Sequence, residues 1–84
     1  MKKIFIILNE KSGETDWTTK FVREIPADKN KEEFAKELAR EQYSNFDEEL
    51  QDGVFLFNGG CNMVSVLKVE EITSEEFEVL KKFI

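Results

Sequence analysis

The stretch from Val54 to Val69, V-F-L-F-N-G-G-C-N-M-V-S-V-L-K-V, constrains this chain more than any other. Two apolar runs meet at Gly59-Gly60, and a tight hairpin turn of type I′ needs φ > 0 at both central positions, which glycine adopts without steric cost. Asn58-Gly59 meets the same requirement, because asparagine tolerates the left-handed region. The two choices differ by one residue of register and exchange the faces of the ribbon, but both predict a β-hairpin. Each strand is apolar on both sides. The first carries Val54 and Leu56 on one side and Phe55 and Phe57 on the other; the second carries Met63, Leu67 and Val69 on one side and Val64 and Val66 on the other. A half-exposed strand alternates apolar with polar, so continuous apolar runs predict burial on two sides.

The rest of the chain supplies the packing partners. Lys3 to Asn9 alternates Ile4, Ile6 and Leu8 with Phe5 and Ile7, which predicts a central strand. A polar loop follows, Glu10 to Asp16, with Gly13 as its φ > 0 position. Trp17 to Ile25 carries charges on both sides, including Lys20, Arg23 and Glu24, as edge strands do; Pro26 ends it. Helix one is expected within Asp28 to Asn45, with Asn30 and Glu33 at capping-box spacing and Phe34, Ala35, Leu38, Ala39, Gln42, Tyr43 and Phe46 on its apolar stripe. Phe46 to Gly53, F-D-E-E-L-Q-D-G, reads as one further helical turn capped by Asp47. Helix two is the best specified: Thr73 and Glu76 form a capping box, Ile72 and Phe77 flank it as a staple, and Phe77, Leu80 and Ile84, with Phe83 beside them, make the buried stripe. The expected fold is therefore a single α+β domain over residues 1–84 in the order ββαββα. It has a four-stranded, mostly antiparallel sheet built from two hairpins, with two packing helices. Only two short helices are available to cover three strands with two apolar sides. Either they lie on opposite faces, or one face is left for a partner.

Composition excludes whole classes of function. The 84 residues are 40% apolar and 36% charged, a globular balance, and contain one Cys and no His. No intrachain disulfide, His-based zinc site, or Ser-His or Cys-His catalytic pair can form. The apolar run Ile4 to Leu8 is shorter than the roughly 7–15 residues of a signal-peptide core, and nothing approaches the ~20 apolar residues of a membrane span. A cytoplasmic protein without membrane contact is expected. The net charge is −6. Residues 1–46 are neutral overall, and the entire excess falls in residues 47–84. This argues against direct nucleic-acid binding there, which depends on Lys and Arg neutralising phosphates.

No motif carries chemistry. Cys61 has no base or cation beside it to make a thiolate, and Gly59-Gly60 lacks the Lys-Ser/Thr and helix of a phosphate loop. Asp47, Glu48, Glu49 and Asp52 lack the alternating ligands of a calcium loop. No catalytic, cofactor or metal residue is expected, and the chain reads as a non-enzyme. What remains is an outward set of carboxylates, Asp47, Glu48, Glu49, Asp52, Glu70, Glu71, Glu75 and Glu78, with Trp17 as an aromatic contact. Such a set steers basic partners. The leading expectation is a protein-binding module acting through the acidic C-terminal half. In size and charge the chain also resembles the small phage and mobile-element inhibitors, anti-CRISPR-like, that block a host nuclease by mimicking nucleic acid. That is a likeness of type without a shared motif. A third expectation is a homodimeric accessory domain joined through an apolar sheet face.

Overall fold

The computed structural model describes residues 1–84. Its centre is an antiparallel sheet of five strands, not four. These are β1 (Lys2–Ser12), β2 (Thr15–Ile25), β3 (Phe46–Gln51), β4 (Val54–Phe57) and β5 (Asn62–Ile72), in spatial order β2-β1-β5-β4-β3. Two helices, α1 (Lys31–Arg40) and α2 (Ser74–Lys81), complete a ββαβββα chain. The α+β class, the central position of β1 and the edge position of β2 stand as the sequence implies.

The extra strand is the main correction. Phe46 to Gln51 pairs with β4 instead of forming a helical turn. Phe46 and Leu50, four residues apart, imitate a helical stripe. Two register shifts along β3 disrupt the period-2 pattern that marks a strand. Tertiary contacts decide the matter. The Phe46 ring lies 6.1 Å from that of Phe55 and 5.8 Å from that of Phe57. Asp52-Gly53 then forms a two-residue connection to β4, with Gly53 at φ +80°.

The β4–β5 hairpin exists, but its connection is four residues, Asn58 to Cys61, instead of a two-residue turn. Asn58, Gly59 and Gly60 have φ of 54°, 68° and 88°, so the members of both candidate pairs are left-handed. The strand ladder starts at Phe57↔Asn62, which puts Phe55, Phe57 and Val64 on one face and Val54, Leu56 and Met63 on the other. Further along β5 a bulge against Ile7 and Leu8 leaves Leu67 without a cross-strand partner. The alternation is reset there, so Val69 joins Val64 and Val66 instead of Met63.

β1 and β2 run further than expected. The polar loop shrinks to a turn at Gly13-Glu14, with Gly13 at φ +62°, so Glu10 and Trp17 are strand residues facing each other. Helix α1 is shorter than its sequence stripe. Asn30 accepts the Glu33 N–H at 2.9 Å and the helix ends at a Glu41 C-cap. Tyr43 therefore leaves the helix and lays its ring 5.3 Å from Phe57. The α2 capping box forms in both directions, Glu76 N–H to Thr73 and Thr73 N–H to Glu76.

One face of the sheet is sealed. Ile4, Ile6, Leu8, Ile25, Phe55, Phe57 and Val64 meet Ala35 and Ala39 of α1 in a single buried cluster. Helix α2 lies on the opposite face, over the end of β1 and β2. Phe77 is buried there, 5.7 Å from Lys3 Nζ, and Val22 is buried on the same side. Eight helical residues reach about 12 Å, whereas an eleven-residue strand such as β1 runs about 36 Å. The far end of that face is left without a helix.

Candidate protein-interaction surface

The acidic residues of the second half fall into two groups that the fold separates. Asp47, Glu48, Glu49 and Asp52 lie along β3 and its turn, at one edge of the sheet. Glu75 and Glu78 lie on α2, which contacts β1 and β2 toward the other edge. Glu70 and Glu71 sit between, on β5, facing Phe5 and Ile4 across the ladder and so pointing to opposite faces.

Several of these carboxylates have work inside the fold. Asp47 accepts the N–H groups of Gly59 at 2.5 Å and Gly60 at 3.1 Å. It thereby satisfies the donors that the left-handed turn exposes. Asn45, Asn58 and Asn62 brace the same turn, with side-chain bonds of 2.9 and 2.7 Å. Glu49 accepts the Gly53 N–H at 3.1 Å, which holds the β3–β4 turn. Asp52 pairs with Lys36 of α1, and Glu70 pairs with Lys68 at 3.3 Å. The Lys36–Asp52 hydrogen bond raises the lysine above its ordinary value. Glu48, Glu71, Glu75 and Glu78 are exposed and in no ion pair. Between Phe46 and Phe57 there are four carboxylates and no base, and the outer edge of β3 has no neighbouring strand.

Trp17 is 38% exposed. Across the ladder it faces Glu10, which is only 6% exposed and which sequence reasoning had placed in a solvated loop. The Glu10 carboxylate accepts from the Thr19 hydroxyl and, at 3.5 Å, from that of Tyr43. Burial and then the neighbouring Glu10 charge raise the Tyr43 phenol above its ordinary range. A signal for this was available: Glu10 continues the inward series Ile4, Ile6, Leu8 by one more step of two. The arrangement anchors Tyr43 and Thr19 to β1. None of the surface depressions is lined by Glu10, Thr19 or Tyr43.

No group of three or more Cys, Asp or Glu side chains converges in a way that could hold a metal ion. Cys61 is exposed on the β4–β5 connection, where its carbonyl accepts the Gly13 N–H at 3.2 Å and ties the two hairpin tips together. No helix is long and apolar enough to cross a membrane.

The face opposite α1 is the other distinctive surface. Ile7, Val54, Leu56 and Met63 are half-buried there, whereas their neighbours on the α1 face are sealed. No family model matches the chain, and comparisons with characterised proteins and with solved structures likewise find no match.

Proposed function

We propose that the protein is a non-enzymatic binding module whose acidic β3 edge receives a basic protein surface. The observation that carries this reading is the edge itself, a strand without an outer neighbour that bears carboxylates and no base from Phe46 to Phe57. A second acidic edge is repelled by it, and its two bulges discourage indiscriminate strand pairing. A lysine- or arginine-rich surface is drawn to it. Glu48 is the residue free for such contact, because Asp47 and Glu49 are committed to turns and Asp52 is paired with Lys36 of α1. The α2 acids Glu75 and Glu78 lie apart from this edge, and Glu70, Glu71 and Trp17 are divided between the two faces of the sheet, so none of them extends it. Mimicry of nucleic acid would call for a continuous track of charge, and the division between β3 and α2 gives that reading no support over the first.

Binding of a labelled lysine-rich peptide, followed by fluorescence anisotropy, tests the proposal. Binding should weaken with added salt, since exposed charges are screened over about 10 Å at 0.1 M. The substitution Glu48→Lys should weaken it about tenfold or more while leaving the turn-holding Asp47 and Glu49 and the Lys36–Asp52 pair in place. Undiminished binding by that variant would reject the β3 edge as the site.

A further inference from the structure

We infer that the uncovered end of the sheet face is filled by α2 of a second copy of this chain, so that two molecules pair face to face as a symmetric dimer. The inference rests on apolar contacts opposite α1 and not on the basic-partner reading; Glu48, opposite Leu56, borders the same face, so the two readings are told apart by Val79→Lys, which leaves β3 untouched.

The first observation is the step in this face. Helix α2 stands one helix-thickness above the sheet at the Lys3–Val22 end, while the other end, with Ile7, Val54, Leu56 and Met63, has no helix above it. A twofold axis lying across the strands brings the raised end of one copy over the lowered end of the other. The two α2 helices then form one layer between two sheets.

The second observation concerns α2 itself. Phe77 points into its own sheet and is buried. At about 100° per residue, Val79 lies roughly 200° round the helix from it, on the outer side; Phe83, expected beside the inner stripe, lies past the C-cap Lys82. They are 55% and 81% exposed. A short surface helix with one partner sheet needs one apolar stripe; this one has an inner stripe and an apolar residue outside it. Val79 has nothing to cover in the monomer, and the uncovered sheet floor has nothing covering it.

Charge is the third. The floor presents Lys11 and Lys20, exposed and in no ion pair, and Lys68, which is paired with Glu70 on the same face. The incoming helix presents Glu75 and Glu78 beside Val79. Asp16, opposite Lys11, and Glu48 also lie on this face, on the outermost strands β2 and β3. A standard interface of about 800 Å² per partner is roughly a seventh of the 5340 Å² surface. In a C2 pair every such contact occurs twice.

Sedimentation equilibrium of the full chain tests this. The expected result is a dimer at protein concentrations on the order of 100 µM, dissociating on dilution as mass action demands. Leu56→Lys on the floor and Val79→Lys on the helix should each raise the dimer Kd by about tenfold or more, with unchanged far-UV circular dichroism. Val79 is exposed, so its substitution remains informative if Leu56→Lys perturbs folding. A charge exchange sharpens the test. Glu75→Lys with Glu78→Lys, and separately Lys11→Glu with Lys20→Glu, should each weaken self-association, whereas mixing the two variants should restore a heterodimer. A monomer at every concentration overturns the inference. So does a dimer indifferent to Val79→Lys, which would have to form through another surface.

Discussion

The two faces of this sheet come from the same strands and have different fates. On the α1 face, Ile4, Ile6, Leu8 and Phe57 are completely withdrawn from solvent. On the opposite face, residues one step along the same strands, such as Ile7 and Leu56, stay half-buried. The difference lies in the cover more than in the strands. Helix α1 is reinforced by Tyr43 and Phe46, which lay aromatic rings on Phe55 and Phe57 beyond the helix end. Helix α2 has no such extension. Apolar alternation on both sides of a strand therefore signals a surface that needs covering, without saying whether the chain itself supplies the cover.

The largest expected effect separates the two faces directly. Phe57→Ala should cost about 3–5 kcal/mol, the usual loss for a large buried ring. Leu56→Ala, its neighbour on the other face, should cost about 1 kcal/mol, since it begins half in water. Urea denaturation at protein concentrations too low for association compares them, and equal losses would break the distinction between sealed and open faces. Next comes the link that makes β3 a strand. Gly53 holds φ +80°, and a Cβ there would sit 3.6 Å from Val66 Cβ. That is ordinary van der Waals contact, so Gly53→Ala should cost about 1–2 kcal/mol, from the left-handed backbone alone. Amide exchange in β3 and β4 should rise with it; a change confined to other strands would contradict the β3–β4 turn.

Thr73→Ala should cost about 1 kcal/mol by removing the α2 cap. Its effect should appear as faster amide exchange around Phe77 and Val22, leaving the α1 core protected. Loss of protection on both faces together would show that the faces are not independently stabilised.

The smallest effect is alkaline. The Tyr43 phenol keeps its proton to a higher pH in the folded chain than in the unfolded one, first because it is buried and then because Glu10 lies near. Above the ordinary tyrosine value of 10.0 the folded state therefore binds more protons than the unfolded state, and stability falls as pH rises. Lys29, hydrogen-bonded to Glu37, and Lys36, bonded to Asp52, act in the same direction from 10.5 upward. Thermal unfolding between about pH 9 and 11, around the ordinary values of these groups, should show a decline that Tyr43→Phe makes shallower. Rising stability over that window would be the wrong sign for a phenol held on the sealed face.

Much of this was legible in the residues. The hairpin at Asn58–Cys61, the central β1, the charged edge β2, and the caps at Asn30 and Thr73 all follow from local rules of turn chemistry, alternation and capping. β3 was not legible, because its two bulges hide its alternation and Phe46 and Leu50 fall at helical spacing. The shift of Val69 to the α1 face was hidden for the same reason, since the bulge at Leu67 is set by pairing with β1. The acidic set was legible as charge but not as a site. Only the turns show that Asp47 and Glu49 serve the backbone while Glu48 remains free.

The sequence by itself determined the strands and helices whose signals are local, the absence of histidine chemistry, and the concentration of negative charge after residue 46. Tertiary structure alone decided which strand became the fifth, which carboxylates point into turns, and how far α2 reaches across its face. These depend on contacts between residues distant along the chain, where one bulge or one turn of helix redirects every side chain that follows.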